Sequence, residues 1–483
     1  MLMSRTFTGR LFSGLFPFHC FITDFLWPTT MSRSLSLADL PIELLLEIFE
    51  FATYVHESES IVPLHPFTPK HVSANAMGPN TPTSATRTKC ALVLVCRSWR
   101  RLALQILYRH IPIRSPKRAE LLLRILQPNP NVLPLDTSEC GQFTRHIEIS
   151  THVRGSDTIQ FLQTVFKILR CCPNVRILSG TWDHPLPDTF LTALTLLYGQ
   201  SLHALYWEGP GSTAPITFFS SFQMLKALDI HNVEEHSLPD QCSLPLVQDL
   251  IVSNSKHSLK LATSLKLPSL HNLIFKSEGG VSQDALEAFL GVHGPSLLSV
   301  DILPRHSDID RSSTGSTLLT NHAALFLNHY YCPNLQTITF DARTLPFDTP
   351  MGCPVRSIGL RGIKASELYP NSEKPSNVRA HLKSLIEETY PYLETVRAVE
   401  FLVESDSDSL IKDIFIWWTE KFERRGVDLQ DAEGVVWAYM DDVADKQEEV
   451  GMTPWSDDFG KHDGIVQEPT GGILKHLIDT CKI

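Results

Sequence analysis

The side chains best suited to metal or redox chemistry are ten cysteines and 20 histidines, and they are scattered along the chain. The cysteines form no Cys-x-x-Cys pair, and the histidines have no spacing typical of a zinc site. Cys171 and Cys172 are adjacent and could form a redox pair, although ordinary packing as small hydrophobic side chains is the favoured interpretation. We therefore expect no metal centre and no cofactor.

The sequence motifs that accompany the common forms of catalysis are also missing. There is no Gly-rich phosphate loop ending in Gly-Lys-Ser/Thr, no G-x-G-x-x-G, no His-Glu-x-x-His and no Gly-x-Ser-x-Gly. The alternative is a catalytic triad assembled from positions far apart in the sequence. We expect a protein that is not an enzyme.

The net charge of -11 is concentrated at the end of the chain. Residues 401–483 contain 19 acidic and 8 basic side chains, which accounts for the whole excess. The remainder is balanced, so we expect no broad nucleic-acid surface. Within residues 97–124 the net charge is positive, because the segment contains eight Arg and Lys residues and one acidic residue, Glu120. This basic run is interpreted as a solvated helix face, with a surface for an acidic protein partner as the alternative.

Two stretches near the start of the chain have the apolar spacing of amphipathic helices. They are residues 37–49, LADLPIELLLEIF, and residues 91–103, ALVLVCRSWRRLA. In the first, Pro41 suits an initial helical turn and Glu43 places negative charge near the positive end of the helix dipole. One apolar stripe is predicted in each stretch, at Ile42, Leu45, Leu46 and Phe49 and at Leu92, Val95, Trp99 and Leu102.

This ordered pair of stretches resembles an F-box, as found in fungal F-box proteins that act as substrate receptors of cullin-based ubiquitin ligases. The resemblance implies a small helical module over 35–113 that docks on a Skp-type adaptor. The residues predicted to bind the adaptor are Leu40, Pro41, Ile42, Leu45, Ile48, Phe49, Val95 and Trp99. F-boxes usually join their helices by a short turn, whereas here about 35 residues intervene. Because the intervening segment is rich in Pro, Ser, Thr and Asn, a disordered insertion is predicted at about 56–88.

The first 34 residues have a basic and then apolar order that resembles a signal or transit segment. Pro17, His19 and Asp24 interrupt the apolar run, which is too short and too broken to predict a membrane span. We expect residues 1–34 to be either a disordered tail or an upstream extension of a chain that starts at Met31. The expected localisation is cytoplasmic, nuclear or both, with no membrane partner.

The long middle of the chain repeats an apolar-x-x-apolar core at a spacing near 25 residues. The anchors Val175, Leu202, Leu225, Val247, Leu270 and Leu297 are separated by 27, 23, 22, 23 and 27 residues, and the series continues at Leu335, Val355 and Leu393. It resembles an irregular leucine-rich repeat, which implies an α/β solenoid of strand–helix units over 114–440 with a C-terminal cap. The alternative is a globular α/β domain. An acidic, flexible tail is expected over 441–483.

Alternate residues of each predicted strand should point away from the core, toward a concave face that holds a protein substrate. The predicted substrate-binding residues are Tyr206, Asp229, Asp249, Ile251, Ile274, Asp301, Asp341 and Arg361. Acids outnumber bases in this set, so a ligand with a basic patch is expected, while selection for solubility is the alternative.

These observations, together with the resemblance, predict a substrate receptor. Its expected partners are a Skp-type adaptor, a cullin ligase core and an unidentified protein substrate that the repeat array holds for ubiquitination. The alternative is a leucine-rich-repeat interaction scaffold that joins no ligase.

Overall fold

The structure is a computed structural model. It describes residues 40–55, 80–127, 140–151, 157–182, 186–208, 216–231, 242–277, 283–304, 322–346, 353–370, 375–387, 390–403 and 409–438. The predictions for 1–34, for most of the insertion and for the tail at 441–483 lie outside these residues. The chain divides into two compact units, Met1–Ala52 and Thr53–Ile483, and each is described by itself.

The described part of the first unit is one helix, α1, at Ile42–Ala52. Pro41 precedes it, and the carbonyl of Pro41 accepts a hydrogen bond from the amide of Leu45 at 3.1 Å. Glu43 lies in the first turn, where it interacts favourably with the helix dipole. The helix predicted from the Leu-Pro signature is therefore present.

The second unit begins with two helices, α2 at Pro82–Val95 and α3 at Arg97–Arg109. The Thr81 hydroxyl caps α2 by accepting from the amide of Ser84 at 3.1 Å, and Pro82 occupies the first turn. Residues 82–88 were assigned to the disordered insertion, so this part of the prediction is corrected. The Thr-Pro pair is a helix start that the polar composition around it concealed.

The apolar stripe predicted across 91–103 also needs correction, because one helix does not span it. Cys96 is extended, with φ -158° and ψ 172°, and separates α2 from α3. Its sulfur accepts from the amide of Trp99 at 3.5 Å and so caps α3. Val95 and Trp99 therefore lie on different helices.

In the described residues, twelve parallel strands form one sheet whose spatial order is the order in the sequence. The strands are β1 His110–Ile113, β2 His146–Thr151, β3 Ile177–Trp182, β4 Ala204–Glu208, β5 Ala227–Asp229, β6 Asp249–Ser253, β7 Asn272–Lys276, β8 Ser299–Leu303, β9 Thr337–Asp341, β10 Ser357–Arg361, β11 Thr395–Ala398 and β12 Asp428–Gln430. The sheet begins before residue 114, since β1 lies within the segment assigned to the helical module.

Helices connect most of these strands. They are α4 Pro116–Leu126, α5 Asp157–Cys171, α6 Asp188–Tyr198, α7 Ile216–Ser220, α8 Lys256–Ser264, α9 Gln283–His293, α10 Ala323–Phe326, α11 Ala365–Leu368, α12 Asn377–Ile386 and α13 Ser409–Glu423. Each anchor of the predicted repeat is buried, from Val175 to Leu393. The predicted fold class is confirmed: this unit is an α/β solenoid with a leucine-rich-repeat-like parallel array.

One aliphatic residue from every strand forms a row across the sheet, in register and buried. The row is Ile111, Ile147, Leu178, Leu205, Leu228, Leu250, Leu273, Val300, Ile338, Ile358, Val396 and Leu429. The connecting helices bury their apolar residues in the same core cluster. Since one unit cannot bury its own row, each repeat is stabilised by its neighbours.

The last repeat of the array, where a C-terminal cap is predicted, has a strand, β12, as well as the helix α13. Gly426 ends the turn after α13 with φ +71°, a conformation that suits a residue without Cβ. Trp418 of α13 is buried and donates from Nε1 to the carbonyl of Leu368 at 2.8 Å. In the described ranges, no helix has the length and apolar content needed to cross a membrane.

Candidate functional site

Helix α1 carries an apolar stripe that faces solvent. Leu44, Ile48 and Phe51 recur at spacings of four and three residues, so they lie on one side of the helix. All three are exposed, and Phe51 is 76% exposed. We call Leu44, Ile48 and Phe51 the α1 stripe. Large exposed hydrophobic side chains in a contiguous arrangement are typical of interaction surfaces.

The residues predicted to bind the adaptor divide between two roles on α1. Leu45 and Phe49 are buried, with Phe49 1% exposed, so they belong to the packing of the helix. Pro41, Ile42 and Ile48 are exposed, and Leu40 is half-buried. Sequence reasoning missed Leu44 and Phe51. The signal that could have found them is the second apolar repeat, at 44, 48 and 51, about 140° around the helix from the first.

Acidic residues border the α1 stripe. Glu43, Glu47 and Glu50 follow one another at spacings of four and three residues and are exposed. Around the helix the order is buried stripe, exposed apolar stripe and acidic stripe. Such an arrangement of an apolar centre beside a polar margin matches the anatomy of protein interfaces.

Val95 and Trp99 belong to the second unit. At the end of α2, Leu94 and Val95 are exposed, and Leu94 is 83% exposed. Trp99 is half-buried in the first turn of α3. Cys96 lies between α2 and α3. The hydrogen bonds that its thiol makes with the Ser98 side chain and with the Trp99 amide lower its pKa. The adaptor-binding roles of these residues stay predictions.

Five of the predicted substrate-binding residues form one row on the second face of the sheet. Strand pairing aligns Tyr206, Asp229, Ile251, Ile274 and Asp301 across β4 to β8. These five residues therefore share one face in this part of the sheet. Asp249 lies two residues before Ile251 on the same face, and Asp341 pairs in register with Arg361.

The expected exposure of this set is wrong. Tyr206 is half-buried, and the other seven are buried, namely Asp229, Asp249, Ile251, Ile274, Asp301, Asp341 and Arg361. Period-two reasoning identifies the face of a strand but carries no information about what covers that face. The role of these residues in substrate binding stays a prediction, and the side chains themselves contribute little accessible surface.

The buried acids are paired, which removes the acidic wall expected from the sequence. Asp229 lies 2.6 Å from His231 Nδ1 and 3.6 Å from Lys276 Nζ. Asn272 donates from Nδ2 to Asp249 Oδ1 at 2.7 Å. The missed partner Lys276 is two residues beyond Ile274, so continuing the alternation by one step would have found it.

Arg361 is at the centre of a second of these charged groups. It is 1% exposed, and its Nη2 donates to the two carboxylate oxygens of Asp301 at 3.0 and 3.2 Å. Its Nη1 donates to Glu400 Oε1 at 3.1 Å. The guanidinium thus joins β8, β10 and the turn after β11. A separate pair, Arg343 and Asp341, follows β9.

The described residues include no group of three or more His, Cys, Asp or Glu side chains placed to hold a metal ion. Burial raises the pKa of the Cys172 thiol to about 11 and that of Cys332 to about 12. Such thiols stay protonated and inert at neutral pH. The adjacent Cys171 also has a raised pKa, chiefly from burial, so the pair has the character of packed thiols.

No protein-family model matches this chain, and no curated protein sequence matches it. The solved structures that match part of this chain include the following two. A crystal structure of a protein from Bacteroides fragilis has a TM-score of 0.32 at 11% identity and covers 67% of this chain and 74% of that chain. The TLR13–ssRNA13 complex has a TM-score of 0.25 at 13% identity and covers 54% of this chain and 44% of that chain. At scores this low, the fold assignment depends on the strand pairing and core of this chain.

Proposed function

We propose that this protein is a substrate receptor of a cullin-based ubiquitin ligase, docking on a Skp-type adaptor through α1 and holding a protein on its repeat array. The observation that carries the proposal is the α1 stripe. Leu44 and Ile48 are exposed within residues 37–49, the stretch that resembles an F-box, and Phe51 continues the stripe two residues beyond it, while Leu45 and Phe49 are buried.

An amphipathic helix that binds a groove does so through a few apolar anchors on one face. Fully burying an exposed Leu, Ile or Phe side chain contributes about 1.5 to 3 kcal/mol. Three such residues are enough to dominate an interface, since a small number of anchors usually carries most of the binding energy. The neighbouring acidic stripe then favours an adaptor groove with a basic margin.

The repeat array supports the second half of the proposal. Solenoids present long surfaces formed from equivalent positions of successive repeats, which suits recognition of another protein. In this role the chain catalyses nothing itself. It raises the effective concentration of substrate lysines near the conjugating enzyme that the ligase core recruits.

A binding experiment with purified proteins tests the proposal. The full chain is immobilised and titrated with a purified Skp-type adaptor, beside the variants Ile48→Asp and Phe51→Asp. The matched control is Leu196→Asp, which places the same charge on an exposed position of another helix, α6. We expect micromolar or tighter binding, at least about tenfold weaker in both α1 variants and unchanged in the control.

Circular dichroism of each variant checks that the fold is retained. If the wild-type chain fails to bind the adaptor, the ligase role is wrong and the interaction scaffold without a ligase becomes the better description. Equal losses in Leu196→Asp and in the α1 variants contradict the assignment of the docking surface to α1.

A further inference from the structure

A groove of about 780 Å³ lies in the second unit, at the first strand of the sheet. It is bordered by α2, by the end of α3, by β1 and β2, and by α4. Neither the α1 stripe nor the row of predicted substrate-binding residues contributes to it. Part of the basic run that the sequence shows at 97–124 lies in this groove.

The floor of the groove is apolar and its margin is cationic. Leu107, Ile111 and Leu122 are among the apolar lining residues, and four basic side chains surround them. The basic residues are Arg87, Lys89, Arg114 and Arg118. Arg87, Arg114 and Arg118 are exposed, so a ligand that enters from solvent can reach their guanidinium groups.

Glu148 is the single acidic side chain among the described lining residues, and its charge is already engaged. Its Oε2 lies 3.2 Å from His110 Nε2 and its Oε1 lies 3.7 Å from Arg114 Nη2. The neighbouring His110 imidazole lowers the pKa of Glu148, so this carboxylate is ionised at neutral pH. His110 is held in turn by stacking on His146, with ring centroids 4.3 Å apart. The margin therefore keeps an excess of positive charge.

The edge of β1 is poorly suited to accept an additional strand. The Arg109 carbonyl accepts a hydrogen bond from the Arg145 amide toward β2, so the alternation along a strand turns His110 and Pro112 to the outer edge. Pro112 has no N–H, which removes a donor from that edge. Recognition at this groove must therefore use the side chains of its floor and margin.

We propose that this groove binds an acidic peptide segment of a partner protein, with apolar side chains on the floor and carboxylates beside Arg87, Arg114 and Arg118. Charge complementarity decides the sign of the ligand. The apolar floor favours a peptide over a nucleic acid, because nucleic-acid grooves combine a continuous basic track with stacking aromatic residues. The site uses residues of the second unit alone, whereas the proposed adaptor docking uses α1 of the first unit.

Fluorescence anisotropy with the full chain tests this site. The probe is a fluorescein-labelled peptide of sequence ELEFEE, with KLKFKK as the charge-reversed peptide and a labelled oligo-dT strand as the nucleic acid. The lining variant is Arg114→Glu with Arg118→Glu. The matched control is Lys117→Glu with Arg124→Glu, which makes the same charge change on exposed positions of α4 that do not line the groove.

We expect ELEFEE to bind, the lining variant to weaken binding by about tenfold or more, and the control to change it by less than about twofold. KLKFKK should not bind. Equal losses in the two double variants overturn the groove in favour of a diffuse charge effect. Tighter binding of oligo-dT that is lost in the lining variant overturns the peptide assignment, and absence of ELEFEE binding at millimolar concentration overturns the site.

Arg114→Gln with Arg118→Gln provides a second variant if charge reversal disturbs folding, and it should weaken ELEFEE binding in the same direction. The lining variant should bind a Skp-type adaptor as tightly as the wild-type chain. Loss of peptide binding with adaptor binding intact separates this inference from the proposed ligase role, which is tested through α1.

Discussion

Replacing Arg361 with Met should loosen the sheet around β8 and β10. Arg361 is buried and donates to Asp301 through Nη2 at 3.0 Å and through Nε at 3.3 Å. Removing one partner of a buried ion pair typically costs about 3 to 5 kcal/mol, because the remaining charge is left without a partner. Glu400 is 33% exposed and can regain water, so Asp301 bears most of the loss. We therefore expect about 3 kcal/mol, the lower end of that range.

Repeat arrays seldom unfold in one step, so a local measurement suits this change better than a global midpoint. Hydrogen exchange of the backbone amides of β8 and β10 reports the local opening free energy. A loss of about 3 kcal/mol corresponds to exchange roughly 100-fold faster in these strands. The amides of β3, more than a hundred residues away, should change little.

The control is Arg356→Met, which removes the pair between Arg356 and Glu394. That pair is exposed on both sides, and such pairs contribute about 0 to 1 kcal/mol. The double variant Arg361→Met with Asp301→Leu removes both partners and should be more stable than Arg361→Met alone. If Arg361→Met accelerates exchange in β8 and β10 no more than Arg356→Met does, the assignment of a stabilising role to this buried group is refuted.

Three further predictions concern stability. Burial lowers the pKa of His293 below its ordinary value of 6.5, so below about pH 6.5 the unfolded chain binds more protons than the folded chain. The melting temperature should therefore fall as the pH falls toward the folded-state pKa of His293. The variant His293→Leu should reduce this pH dependence. The same direction applies at His322 and His381. A Cβ on Gly141 would lie 1.9 Å from the Cys171 carbonyl oxygen, so Gly141→Ala should lower the melting temperature, whereas Gly291→Ala, in open space on α9, should stabilise by about 0.5 to 1 kcal/mol. In Phe49→Ala, the opening free energy reported by hydrogen exchange of the α1 amides should fall by about 3 kcal/mol, so these amides exchange faster. In Phe51→Ala, the same free energy should stay nearly unchanged.

The helical start of the chain shows how far local patterns can be interpreted. The Leu-Pro signature predicted α1 correctly, because a proline in the first turn and an i, i+3, i+4 apolar spacing are properties of the helix alone. The same apolar spacing continues across residues 91–103, although the helix is interrupted there at Cys96. Apolar periodicity does not distinguish one helix from two consecutive helices whose faces happen to align.

The second face of the sheet shows the opposite limit. Alternation placed Asp229 and Asp301 on one face correctly, since it depends only on strand geometry. Their burial and their partners were not predictable from alternation. Their partners, Lys276 for Asp229 and Arg361 for Asp301, lie 47 and 60 residues further along the chain, and only the register of the strands brings these residues together.

By itself the sequence determined the repeat: the spacing of apolar anchors requires strand–helix units, and units that cannot bury their own cores must stack. It also determined the helix of the Leu-Pro signature. Only the tertiary structure decided which side of that helix is buried and which side carries the α1 stripe. It also decided that the acids of the second face of the sheet have partners. Finally, it placed four cationic side chains around one apolar groove beside β1. Periodicity encodes local geometry along the chain, whereas burial, ion pairing and clefts arise between segments that are distant in sequence, where pattern carries no information.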